Sequence, residues 1–100
     1  MNFIESDGRL LLVSDTKEDM GELAWLMQDD IMIIDHTYVY PNFRRQQLAE
    51  KLVAKGIEIA RKNHWRVHPF CPFAASEFDK KQEYQDLYVS TEEMGWEDAD

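Results

Sequence analysis

The chain has 100 residues, 44% of them hydrophobic, and a formal net charge of −9. That length accommodates one compact core and no second one, and the charge argues against general affinity for nucleic acid or an anionic membrane surface. No apolar run is long enough to span a bilayer as a helix, the start MNFIESDG lacks the basic and apolar regions of a secretory signal, and the single cysteine, Cys71, excludes an internal disulfide. A soluble cytoplasmic protein is expected, as a monomer or weak homodimer.

In chain order, Asp7-Gly8 lies between two apolar runs and marks a hairpin joining strands near 2–6 and 9–14. After the polar "DTKEDMG", "GELAWLMQ" reads as a third strand, and Asp29-Asp30 makes the next turn. "IMIIDHTYVY" is then the longest strand. Alternation places Ile31, Ile33, Asp35, Thr37 and Val39 on one face, with Met32, Ile34, His36, Tyr38 and Tyr40 on the other. Both faces are mostly apolar, so this strand is expected to be central. Pro41 stops the pairing, because it has no N–H to donate.

From about Gln46 to Lys62 the pattern turns helical. Leu48, Ala49, Leu52, Val53, Gly56, Ile57 and Ala60 recur at spacings of three and four and form one apolar stripe. "WRVHPF" follows as a fifth strand, parallel to the fourth if the helix is a right-handed crossover. A short helix is expected over 73–81, and "QEYQDLY" adds another helical turn. The reading is an α/β (α+β) fold: a mixed, mostly antiparallel sheet of about five strands, with one long helix crossing between strands four and five. Residues 1–90 form one domain, and the acidic residues 91–100 a flexible tail.

The charge is unevenly spread. Residues 1–35 hold nine acids against Arg9 and Lys17, and residues 77–100 nine against Lys80 and Lys81. The basic side chains between them, Arg44 to Arg66, form either a solvated helix face or a site for a confined anion. The strand–turn–helix at 36–53 suits an anion, since a helix N-terminus presents unpaired N–H groups and positive partial charge, but most helix N-termini bind only water, so both readings stand at this point. A pyrophosphate there would accept bonds from roughly Gln46 to Ala49, with Arg44 and Arg45 adding charge-assisted bonds at its edge.

These residues resemble the acyl-CoA signature of the GNAT superfamily of N-acetyltransferases, Arg/Gln-x-x-Gly-x-Gly/Ala at the start of the helix after the fourth strand. In "VYPNFRRQQLAEKLV", Arg44 takes the first position and Ala49 the last; Arg45, Gln46 and Leu48 fall on variable ones, and Gln47 stands where the family usually has glycine. His36-Thr37-x-Val39, the Pro69-x-Cys71-x-Phe73 segment and the terminal Glu83-Tyr84-x-Asp86-Leu87 extend the likeness to minimal single-domain members over roughly residues 3–89. The resemblance implies a GNAT-like fold and acetyl-CoA or coenzyme A as cosubstrate. Tyr38 and Val39 would offer backbone groups to the pantetheine arm. The amides of Arg45 through Ala49, those of Gln46, Gln47 and Leu48 among them, would hold the pyrophosphate. Acetyl transfer to an amine of a small molecule or peptide follows, the alternative being a non-catalytic binding or regulatory module.

Gln47 matters because a non-glycine residue in the left-handed region costs on the order of 1–2 kcal/mol, whereas in a helical conformation it adds only crowding. Gln47 opens the apparent helix, so the helical case is expected, with coenzyme A binding weakened but retained. Cys71, at the end of the fifth strand, reads as a buried inert thiol or as a catalytic group beside the cofactor's sulfur, either proton donor or transient acetyl acceptor. His36 is a core histidine or a catalytic one. His36, Glu77 and Tyr84 are the candidate bases. No metal-ligand spacing occurs, since His64 and His68 straddle a helix-to-strand break, and no metal is expected.

Overall fold

The computed structural model of the protein describes residues 1–96. Strands β1 (Asn2–Ser6) and β2 (Arg9–Val13) form the expected hairpin, with Ser6 opposite Arg9 and Gly8 at φ +74° in the turn. β3 (Asp19–Gln28) pairs antiparallel with β2, and β4 (Ile31–Val39) antiparallel with β3 across the Asp29-Asp30 turn. α1 (Leu48–Lys62) crosses over to β5 (Arg66–Pro69), which lies parallel to β4. The five strands stand in sequential order, so the mostly antiparallel α+β sheet read from the sequence is the observed fold.

β4 does not alternate as its sequence suggests. Its register with β3 steps from Ala24–His36 to Trp25–Ile34, leaving Asp35 unmatched. An extra residue in one strand reverses the facing of everything beyond it. Met32 and Ile34 therefore share the core beneath α1 with Val39, although simple alternation sets them on opposite faces. Thr37, opposite the fully buried Leu23, faces α1 as well, while His36 and Tyr38, opposite Ala24 and Glu22, face away.

α1 forms because its apolar positions make one stripe. Leu48, Leu52, Val53, Gly56, Ile57, Ile59 and Ala60 are buried against the sheet. Gly56 lets the helix approach β3 closely, since a Cβ there would come within 2.6 Å of Leu23 Cδ2. The helix starts at Leu48 rather than at about Gln46. At its far end Asn63 folds back, its side-chain amide donating to the Ile59 carbonyl at 2.8 Å.

α2 (Pro72–Lys80) and a 3₁₀ turn (Gln82–Leu87) follow β5. Arg61 at the end of α1 grips that turn with a two-pronged ion pair to Asp86 at 2.8 and 3.0 Å, plus a 2.7 Å bond to the Glu83 carbonyl. The hydrogen bond from Arg61 holds the Asp86 carboxyl below the usual aspartate range. A depressed folded-state pKa stabilises at pH above the unfolded value and is lost as pH falls through the folded one. Asp86→Asn should therefore lower stability at neutral pH and have no effect well below pH ~4, the ordinary aspartate value. Denaturant midpoints of both proteins across pH check this.

On the sheet face away from α1, Val89 and Met94 pack against Ile33. Val89 N–H donates to the Val67 carbonyl at 2.8 Å, and a ring N–H of the buried His68 donates from Nδ1 to the Val89 carbonyl at 2.7 Å. Arg66 pairs with Glu93 at 3.0 Å. Residues 91–96 of the expected tail thus contribute a packed turn; residues 97–100 lie outside the described residues. Among the described residues no helix is long and apolar enough to cross a membrane.

Candidate functional site

β4 and β5 pair only over Ile31–Ile34 and Arg66–Pro69. The chain then turns at Pro69, where Phe70 N–H reaches the His68 carbonyl two residues back at 3.1 Å. A last bond, Cys71 N–H to the Ile34 carbonyl at 2.8 Å, closes the ladder before α2 leads away. The remainder of β4, Asp35–Val39, runs on past the end of this ladder. Tyr40 N–H donates back to Met20 of β3 at 3.0 Å, so alternation turns the Tyr38 backbone groups towards β3 and those of Thr37 and Val39 into the opening.

At the end of that open edge the chain makes a 3₁₀ turn over Pro41–Gln46, entered at Pro41, and then starts α1. Gln47 links the two with φ 55° and ψ 34°, a left-handed conformation. The expectation that Gln47 is helical is therefore corrected: it sits where glycine is free and glutamine strained by on the order of 1–2 kcal/mol. The physical reason is the junction itself. A 3₁₀ turn and an α-helix meet there, and one left-handed residue stands between them. The Gln47 carbonyl accepts the first helical bond, from Lys51 N–H at 3.3 Å, and the Gln47 side chain makes no capping bond at the N-terminus. The amides of Leu48, Ala49 and Glu50 thus form the first turn and have no partner within the helix.

Open edge and helix N-terminus share a cavity of about 440 Å³. Thr37, Tyr38 and Val39 form one wall, Gln47 to Glu50 another, and Phe73 of α2 closes the side. Arg44 lines it too; its Nε donates to the Val39 carbonyl at 2.8 Å and its guanidinium lies 5.3 Å from the Tyr38 ring centre. Of the expected cofactor-binding residues, the fold gathers Tyr38, Val39, Arg44, Gln47, Leu48 and Ala49 here. Arg45 and Gln46 belong to the adjoining 3₁₀ turn.

The two expected catalytic residues are not brought together. Cys71, 7% exposed, is the residue before α2, and its thiol lies 3.6 Å from the Thr37 hydroxyl on the α1 side of the sheet. His36 points from the opposite face, exposed and stacked on Tyr38 with ring centres 6.0 Å apart. Glu77 is buried on α2 beside Lys81 at 3.6 Å, and its charge is the main reason the Lys81 ammonium holds its proton more tightly than usual. Burial pushes the neighbouring Tyr84 phenol up. Glu77 lies on α2 and Tyr84 in the 3₁₀ turn that follows it, with the Tyr84 ring against Phe78.

Sequence reasoning missed Thr37, Glu50 and Phe73 as lining residues. Thr37 was hidden by the bulge, because straight alternation turns it away from Ile34. Glu50, an acid in the first turn of α1, carries no sequence signal for a lining role. Phe73 carried a signal in the Pro69-x-Cys71-x-Phe73 segment.

A mostly antiparallel five-stranded sheet with a helix crossing between its fourth and fifth strands is a fold shared with acyl-CoA N-acyltransferases. The family model described as GCN5-related N-acetyl-transferase matches residues 9–87, and the chain belongs to that family. The fold is similar to the solution structure of a candidate GCN5-like N-acetyltransferase from Staphylococcus aureus, with TM-score 0.72 and 24% identity over 89% of this chain and 88% of that one. It is also similar to a candidate acyl-CoA N-acyltransferase from Klebsiella pneumoniae subsp. pneumoniae, with TM-score 0.58 and 24% identity. That likeness covers 74% of this chain and 55% of the other. No curated protein sequence matches the chain.

Proposed function

We propose that this GCN5-related protein binds acetyl-CoA in the β4–β5 opening and transfers the acetyl group to an amine. One observation carries the reading: the open edge of β4 and the uncapped first turn of α1 face a single cavity. An extended amide-bearing arm can add to the strand edge at Thr37 and Val39, as a peptide adds to a sheet. The Leu48–Glu50 amides receive phosphate oxygens at the other end. Acetyl-CoA supplies an acyl group activated as a thioester. The protein's share is to hold that arm, to exclude water with Phe73 and Leu48, and to aim backbone N–H groups of the open edge at the carbonyl oxygen. The amine nitrogen forms the new C–N bond, the C–S bond breaks, the amine sheds its proton to solvent, and the departing sulfur takes up one proton. Cys71, beside Thr37, is the nearest thiol and the donor we assign to that sulfur, regaining its proton from solvent.

Incubation with acetyl-CoA and a panel of primary amines, followed by mass measurement of products and of the protein, tests the reading. Acetylated amine supports transfer. Coenzyme A binding without product supports the second reading, a non-catalytic binding module, which the placement of His36 and Cys71 on opposite faces favours. Neither product nor binding contradicts both.

Two further outcomes are expected at this site. Glu50 puts a carboxylate in the first turn that would face the phosphates, so Glu50→Gln should tighten coenzyme A about two- to fivefold, a few tenths to ~1 kcal/mol of helix-terminus electrostatics. Titration calorimetry at low and high salt reads this, and the gain should shrink with salt. Labelling of Cys71 by a small thiol reagent should slow when coenzyme A is added. Equal rates with and without it would place the thiol away from the bound arm.

A further inference from the structure

Arg44 stands at the edge of the opening and is already engaged. Its Nε donates to the Val39 carbonyl at 2.8 Å, and its guanidinium lies 5.3 Å from the centre of the Tyr38 ring. That ring is itself braced by His36 stacked at 6.0 Å and by Tyr40 edge-on at 5.1 Å. The Val39 carbonyl points into the opening, so the guanidinium satisfies an acceptor that an entering amide would need. Leaving a part-buried carbonyl unpaired is costly, so something must cap it when no ligand is present. A side chain five positions along the chain does so with a charge-assisted bond and with contact to an aromatic face.

We propose that Arg44 is a latch that holds the β4 edge closed until a ligand displaces it. The latch rests on the reading of this opening as the coenzyme A site. It gives Arg44 two states: bound to its own strand when the cleft is empty, and released towards the phosphates when an arm carrying amides takes over Val39. Coenzyme A brings both the amides that compete for the carbonyl and the pyrophosphate that receives the freed guanidinium. Pantetheine brings only the amides, so it must break the latch without compensation. The latch thus selects for phosphate-bearing ligands: its closed population lowers apparent affinity in proportion, and the phosphate recovers that loss.

The test measures wild type, Arg44→Ala and Arg44→Gln against coenzyme A and against pantetheine by titration calorimetry. Thermal melting checks that each variant is folded. Both substitutions should weaken coenzyme A and tighten pantetheine, the latter about three- to tenfold, which corresponds to a latch closed in roughly 70–90% of unliganded molecules. Pantetheine affinity unchanged or reduced in both folded variants would overturn the latch. The Arg44 Nε–H proton in the NMR spectrum of the free wild-type protein gives an independent reading. Protection from exchange that disappears on saturation with pantetheine supports the latch, and an unprotected proton in the free protein overturns it. If wild type binds neither ligand, the coenzyme A reading fails by itself, and the exchange of that proton still decides whether Arg44 is latched.

Discussion

Replacing Gln47 by glycine should stabilise the protein and tighten coenzyme A, and two substitutions separate the causes. Gln47 holds φ 55° at the junction of the 3₁₀ turn and α1. A side chain there costs on the order of 1–2 kcal/mol, and glycine removes that cost but adds roughly 0.5–1 kcal/mol of unfolded-state entropy. The net gain is about 0.5–1 kcal/mol, or a rise in melting temperature of several degrees for a chain of this size. The Gln47 side chain also lines the cavity, so trimming it clears the approach to the Leu48–Glu50 amides. Gln47→Ala keeps the strain but removes the bulk. It should therefore improve affinity without improving stability, whereas Gln47→Gly improves both. A glycine variant no more stable than wild type would contradict the left-handed junction. An unchanged affinity in both variants would place the ligand elsewhere.

A larger loss is expected at Gly21, which has no side chain and does not line the cavity. A Cβ built there meets the Tyr38 carbonyl oxygen at 2.7 Å, Leu52 Cδ1 at 3.1 Å and Val39 Cα at 3.3 Å. The nearest contact is backbone, which cannot rotate away, so β3, β4 or α1 must move. Overpacking of this kind costs typically ~1–3 kcal/mol, a large part of the ~5–15 kcal/mol that holds a small domain together. The displacement falls on Tyr38 and Val39, so Gly21→Ala should lose coenzyme A affinity even where it remains folded. Denaturant unfolding and ligand titration on one preparation check both halves. Stability within ~0.5 kcal/mol of wild type would show that the strands and helix are packed less tightly than described.

The sequence disclosed the elements better than the site. α1 was legible because its buried positions repeat at three and four, and that stripe does face the sheet. The hairpin was legible from Asp7-Gly8. The facing of β4 was not: one unmatched residue, Asp35, reverses the strand, and no change in composition announces a bulge. As a result Thr37 moved into the cavity and His36 out to the opposite face. Gln47 misled for the reverse reason. Left-handed residues are usually announced by glycine, and here the backbone takes that conformation without one. The contact between Cys71 and Thr37 joins positions 34 apart in sequence, so only the fold could reveal it. The pairing of Arg44 was equally hidden, because its partner is a backbone carbonyl, which has no signature in a list of side chains.

On this reading the open edge of β4 and the first turn of α1 bind one ligand together. Backbone amide NMR of the wild-type protein titrated with coenzyme A tests it most directly. Saturable shifts are expected at Leu48, Ala49 and Glu50 and, at the same ligand concentration, at Thr37 and Val39. No shift at millimolar coenzyme A, or shifts confined to one of these two segments, would contradict it.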